Sequence, residues 1–181
     1  VEGVTVEILE LTEAQPETYP ETPMQVLSLA NSMDLRAVWA RLEAYCAHRW
    51  TPREVVWIVE GPGCFEPTLA PAEVTAVEVW SGDAWSAVTL APSPRGGHVL
   101  PGVGPYRFTT TVGADNLPPP EVEAAFVRLA EYLSVNLATS TPVPVLEQSV
   151  GDVRQSWPEW RPGKALQLSG AADLLRPYRR A

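Results

Sequence analysis

Cysteine is nearly absent from this chain: 181 residues hold two, Cys46 and Cys64. Two thiols build no disulfide framework, so the sequence suits a reducing compartment. Long apolar runs are missing too. Hydrophobic residues make up 45% of the chain, yet no stretch approaches the roughly 18–20 residues that would span a membrane. The first residues lack a basic-then-apolar layout, so no secretory leader is expected. The side chains that catalysis or metal binding would need are equally sparse. Cys46, His48, Cys64 and His98 are the soft ligands, and a Cys-x-His pair with two distant residues fits no zinc spacing. Gly102-Val103-Gly104 is followed by Pro105, which has no N–H, and by no lysine, which excludes a phosphate loop. There is no G-x-S-x-G elbow, and neither histidine lies in the context of a nucleophile's partner. Glu121 and Glu123 read as helix-start residues rather than an acid pair. The expectation is a protein that is no enzyme, with no catalytic, metal or cofactor-binding residue and no cofactor.

What is abundant is proline, 19 residues, which implies turns and extended connections more than long helices. The net charge of −9 is unevenly spread. Residues 1–31 carry Glu2, Glu7, Glu10, Glu13, Glu17 and Glu21 and no base. Residues 154–181 carry Arg154, Arg161, Lys164, Arg176, Arg179 and Arg180 against Glu159 and Asp173. A chain polarised in this way suits head-to-tail contacts, or different partners at its two ends. Its acidic body repels phosphates, which argues against nucleic-acid binding there.

Periodicity outlines an α+β fold. Val4 to Leu11 alternates apolar and polar residues as a short strand. A helix is expected over Ser32–Arg49, with Leu35, Val38, Trp39, Leu42, Tyr45 and Cys46 on one stripe, capped by Asn31 or Ser32 and stopped by Pro52. Four β-rich runs follow between residues 53 and 113, with Ser81-Gly82-Asp83-Ala84 as a hairpin turn. In the last of them Tyr106, Phe108, Thr110 and Val112 share one face. A second helix spans Pro120–Ala138, striped by Val122, Phe126, Leu129, Leu133 and Leu137, with Ala125 and Ala130 beside them. The two stripes are the expected core. The architecture is two main packed α-helices with an antiparallel β-meander inserted between them and an extended C-terminal arm ending in a short helix. The parts are an acidic strand and connector (1–22), a core (23–138) and the arm (139–181).

The arm has no sustained period, and Trp157 and Trp160 lie in it with no local core to enter. Ser169 can cap a two-turn helix that Pro177 ends. Leu166, Leu168, Leu174 and Leu175 then precede Arg176, Tyr178, Arg179 and Arg180. Trp and Arg dominate interface hot spots.

The order LEAYCAHRWTPREVVW, PTLAPAEVTAVEVW, PPPEVEAAFVRLAEYL and LEQSVGDVRQSW, closing on LQLSGAADLLRPYRR, resembles the head–tail connector (head-completion adaptor) proteins of long-tailed phages and gene transfer agents. SGAADLLRPYRR is the most specific part, and the likeness covers about residues 24–181. The acidic segment 1–22 has no counterpart in it. The resemblance implies a structural protein of the particle neck, assembled in the bacterial host cytoplasm. Twelve copies would form a ring under the capsid portal, pass DNA through the lumen without reading its sequence, and meet a stopper or tail-completion protein. No membrane is involved. It casts Trp157, Trp160, Leu166, Leu168, Leu174, Leu175, Arg176, Tyr178, Arg179 and Arg180 as a clamp on the portal protein. The rivals are another neck or tail ring, such as a stopper or tail terminator, and a small particle-associated enzyme.

Overall fold

The first strand, β1 (Glu7–Glu13), alternates as its sequence suggests and pairs antiparallel with β2 (Arg53–Glu60). In this computed structural model residues 6–138, 147–150, 153–156 and 162–179 are described. The expected start of β1 at Val4 lies outside them. Between the two strands the chain forms a 3-10 turn over Met24–Asn31 and helix α1 (Leu35–Tyr45). After β2 come β3 (Gly63–Phe65), β4 (Ala72–Ser81), β5 (Ala84–Ala87), β6 (Ala91–Pro92), β7 (His98–Leu100) and β8 (Tyr106–Val112). Helix α2 (Pro120–Ala138) follows, then β9 (Glu147–Val150) and β10 (Val153–Ser156). A 3-10 turn at Pro162–Lys164, α3 (Ala165–Leu168), α4 (Ala171–Leu174) and a 3-10 turn at Arg176–Tyr178 complete the order. The fold is α+β.

The elements sort into two compact units. Among the described residues, 6–20 and 47–117 form the sheet unit, and 21–46 with those of 118–179 form the helical unit.

In the sheet unit five antiparallel strands run in the order β1-β2-β8-β4-β5. This departs from a meander: β8 returns to lie between β2 and β4 and pairs with both. On one face of β8 Tyr106, Phe108, Thr110 and Val112 are all buried, as suits a central strand with a covered face. Thr110 satisfies its hydroxyl by donating to the Val55 carbonyl at 2.8 Å. The core face carries Val55, Trp57, Val59, Tyr106, Phe108 and Val112, and Phe65 packs against it, its ring tilted 4.7 Å from that of Phe108. Phe65 is the last residue of β3, which forms a second sheet in the order β3-β7-β6. The hairpin turn between β4 and β5 is as expected. Gly82 and Asp83 both take positive φ, 60° and 65°, the pairing a two-residue type I′ loop requires.

In the helical unit α1 and α2 pack through their stripes, with Trp39 stacked on Phe126 at 4.5 Å. Val38, Leu42, Val122, Ala125, Leu129 and Ala130 are fully buried beside them. Burying each large side chain contributes roughly 1.5–3 kcal/mol. The Leu137 side chain lies outside the described residues. Helix α2 has the expected bounds, while α1 is shorter than its pattern at both ends. Asp34, not Asn31 or Ser32, is the N-cap, its carboxylate accepting from the Arg36 N–H at 3.0 Å. The helix stops at Tyr45, well before Pro52, because the following chain pairs elsewhere: His48 bridges Ala70, and the Arg49 N–H donates to the Ala70 carbonyl at 2.8 Å. His48 and Arg49 are therefore not last-turn residues. The arm also departs from a featureless extended run, since β9 and β10 pair antiparallel, Val150 opposite Val153.

Candidate docking segment and charged cluster

Residues 162–179 form a chain of short helical turns seated on α2, with both α3 and α4 in contact with it. Small residues make the close approach possible. Ala165 and Ala171 are buried, and Gly170 adopts φ 74° in the turn between α3 and α4. A Cβ at Gly170 would also come within 3.3 Å of Arg128 Nη1. The Ala171 N–H donates to Ser169 Oγ at 3.4 Å, but the N-cap of α4 is Gly170 and the helix has four residues, so Ser169 does not cap a two-turn helix; it is the C-cap of α3. Pro177 sits inside the last 3-10 turn.

Of the residues assigned to docking, the structure divides those it describes into an anchor and a surface. Leu175 is fully buried and fixes the segment to its own unit. Leu168 is 52% exposed; Arg176 and Arg179 are exposed, and Leu166, Leu174 and Tyr178 are half-buried. Arg179 is already oriented: its guanidinium lies 4.6 Å above the Tyr45 ring, and Nη1 donates to the Tyr45 hydroxyl at 3.2 Å. Burial, with smaller contributions from Glu121 and Cys46, pushes the Tyr178 hydroxyl above the ordinary tyrosine pKa, so it stays a neutral donor. Trp157, Trp160 and Arg180 lie outside the described residues.

The sheet unit holds a charged cluster that its sequence spacing hides. Arg49 grips Glu13 with both arms of its fork, Nε to Oε1 at 2.6 Å and Nη2 to Oε2 at 2.9 Å. Arg53 Nη1 reaches the same Oε1 at 3.1 Å and its Nη2 donates to Thr51 Oγ1 at 2.9 Å. Burial alone would raise the Glu13 pKa, but the hydrogen bonds and charges of the two arginines outweigh it, and the carboxyl sits below its ordinary value. His48 is also held low, first by burial and then by the Arg49 charge.

These two shifts set a pH dependence with a definite sign. Above about pH 6.5, the ordinary histidine value, both the folded and unfolded His48 are neutral. As pH falls below it the unfolded chain protonates first, so stability declines. Glu13 then adds a second decline, its pairing being complete above the ordinary carboxylate pKa and lost as pH drops through the lowered one. The urea midpoint of the native protein should therefore fall in two stages between neutral and strongly acid pH. His48→Gln should erase the upper stage and spare the lower; a single acid transition in both proteins would contradict this.

No group of three or more His, Cys, Asp and Glu is placed to hold a metal ion among the described residues. Cys46 is buried and Cys64 exposed. His98 stands in β7, its ring 5.6 Å from Phe108. A cavity of about 530 Å³ in the sheet unit is lined by Ala14, Glu17, Pro52, Arg53, Glu54 and Asp115 among others, a recess of mixed polar and apolar character. No helix among the described residues is long and apolar enough to cross a membrane.

Two surface features went unread in the sequence. The first is an aromatic–cation group on the outward face of the sheet. Trp80 and Trp85 meet edge to face at 5.3 Å, Arg107 lies 4.6 Å over Trp85, and Arg107 holds Glu78 at 2.6 Å. The second is β1 itself, whose Ile8, Leu9 and Leu11 are 42–48% exposed. Alternation alone shows that a strand has two faces, not that both are open.

No family model matches the chain, and no curated protein matches it. Among solved structures it is similar in fold to a chain of the neck of a native GTA particle computed with C12 symmetry. The TM-score is 0.53 at 17% sequence identity, and the match covers 96% of this chain and 96% of that one.

Proposed function

We propose that this chain is a structural protein of the neck of a phage or gene-transfer-agent particle. Twelve copies form a ring that joins the capsid portal to the stopper or tail and leaves a lumen for DNA. The observation that carries this reading is the end-to-end likeness in fold to a chain of a twelvefold neck, 96% of each chain being covered. The charge distribution supports it. An acidic wall lets DNA pass, where a basic one would hold the phosphates.

The C-terminal segment is the element that meets the portal. Leu175 anchors it to α2's unit, while Leu168, the half-buried Leu166 and Leu174, and Arg176 and Arg179 form the face it presents. Tyr178 is at its margin, and the docking role proposed for Trp157, Trp160 and Arg180 rests on the sequence alone. Apolar side chains flanked by guanidinium groups fit a crevice that ends in carboxylates or helix C-termini. Each arm alone binds weakly, and a ring of arms gains through effective concentration.

The test is light scattering of the purified chain alone and with the portal protein of its own particle. A defined ring on the portal is expected. Leu168→Glu with Arg176→Glu changes only exposed positions and should abolish portal binding while leaving the melting transition in place. A double variant that binds as well as the native chain would remove the segment from the interface, and a native chain that ignores the portal would overturn the adaptor role.

A further inference from the structure

We propose that the five-stranded sheet continues from one copy of the chain into the next, β1 of one copy adding to the β5 edge of its neighbour. This rests on the ring reading above and names the surface that closes the ring. β1 and β5 are the two edges of the sheet, each with a strand on one side only. Natural edges are usually blunted by charged side chains, especially Lys, by Pro, by bulges or by shortness. β5 is short, four residues, and β1 carries Glu7, Glu10 and Glu13, but β1 is seven residues long with neither Lys nor Pro, and six of the seven are exposed. Its one irregularity falls between Ile8 and Glu10.

The register decides which side each residue of β1 takes. Ile8 and Leu11 oppose Val59 and Trp57, so they belong to the core face. They are nevertheless 42% and 47% exposed. The apolar face thus runs out to the rim of the sheet and ends there half bare. At the far edge Ser86 of β5 opposes Val79 on the same face. Just beyond it Val88 and Leu90 pack, only partly buried, against the core cluster. A neighbour's β1 laid along β5 brings Ile8 and Leu11 onto that second apolar rim and buries both.

The outward faces differ in charge, one edge acidic and the other carrying an arginine–glutamate pair beside two tryptophans. Glu7 and Glu10 oppose Glu60 and Ile58 and point outward with them. On β5 the outward positions are Trp85 and Ala87, opposite Trp80 and Glu78. Arg107 reaches over Trp85 from β8. It holds one oxygen of Glu78 through Nε and Nη2, and a guanidinium has five N–H donors. The acidic edge of one copy therefore meets the edge of the next where the Arg107–Glu78 pair leaves guanidinium N–H donors to spare. Pairing β1 with β1 instead would set Glu7 and Glu10 of one copy against those of the other, and like charges opposed across a strand pair are destabilising. The contact is thus heterologous, the type that generates closed rings.

The experiment is the mass of the full-length chain by light scattering, alone and on the portal, for the native protein and three variants that retain its melting transition. Native chains should assemble. Ile8→Asp with Leu11→Asp should stay at the single-chain 19.7 kDa. Ala87→Glu, which faces the incoming acids with another, should do the same. So should Glu7→Lys with Glu10→Lys, which turns the edge basic against Arg107. Mixing the last two should restore the native mass, since every contact in the mixed ring is then either native or charge-reversed. Assembly of the single-edge variants at native mass would overturn the strand contact and leave the ring reading standing. Failure of the mixture to recover would overturn it as well. A native chain that never associates, even on the portal, would remove the ring and this inference together.

Discussion

Leu175→Ala should release the C-terminal segment from α2 and cost about 2–5 kcal/mol, the range for truncating a buried leucine. Leu175 is 0% exposed, whereas Leu168, seven residues earlier, is 52% exposed. Ala165 and Ala171, the other buried side chains of the segment, have little area of their own to bury, so the half-buried Leu166, Leu174 and Tyr178 replace only part of what Leu175 contributes. Hydrogen exchange should therefore rise across Ala165–Tyr178 in the variant while the amides of the α1–α2 pair stay protected. Leu168→Ala, at the exposed position, should leave exchange and urea midpoint unchanged and weaken only portal binding. If both variants leave exchange at the native level, Leu175 does not anchor the segment. Separating the two leucines matters for the proposed adaptor role. A docking arm that is pre-seated on its own subunit loses less chain entropy on binding than one that orders only when it meets its partner.

Sequence pattern was most informative where one period persisted. Helix α2 has the bounds its stripe implies, because Val122, Phe126 and Leu129 all need the same buried face. The alternation of β8 likewise foretold which of its residues are buried. The pattern failed where long-range pairing overrides a local one. The apolar and basic residues up to Arg49 continue a helical rhythm, but the Arg49 N–H is claimed by Ala70 and its guanidinium by Glu13, thirty-six residues earlier. Strand order is invisible for the same reason. Nothing in the β8 sequence says that β2 and β4 flank it; only the backbone pairing of the folded sheet does. For the docking surface, the leucine–arginine ending stood out in the sequence. The division into a buried anchor and an exposed face did not, since Leu174 and Leu175 are adjacent and chemically identical. The edge-strand surface was legible only as a run of alternating residues, because exposure on both faces is a property of the assembled sheet.

Removing the Glu13 carboxylate should be the most damaging change to charge in the sheet unit. Glu13 holds two guanidinium groups whose side chains are only 10% and 4% exposed. Glu13→Ala would leave both cations in a poorly hydrated site with their main acceptor gone. Breaking a buried ion pair from one side costs about 3–5 kcal/mol. The lower end, about 3 kcal/mol, applies here because Glu13 itself keeps 26% of its side chain in water, so solvent can enter once it is truncated. The loss should be nearly as large for Glu13→Gln, which fits the space but supplies one acceptor and no charge. It should be far smaller at Glu78, whose partner Arg107 is 32% exposed and can turn to water. Urea unfolding at neutral pH compares all three. The decisive control is the acid limb: because the Glu13 contribution disappears as its carboxyl protonates, native and Glu13→Gln midpoints should converge at strongly acid pH. A difference that persists there would mean that shape, rather than charge, is what Glu13 supplies.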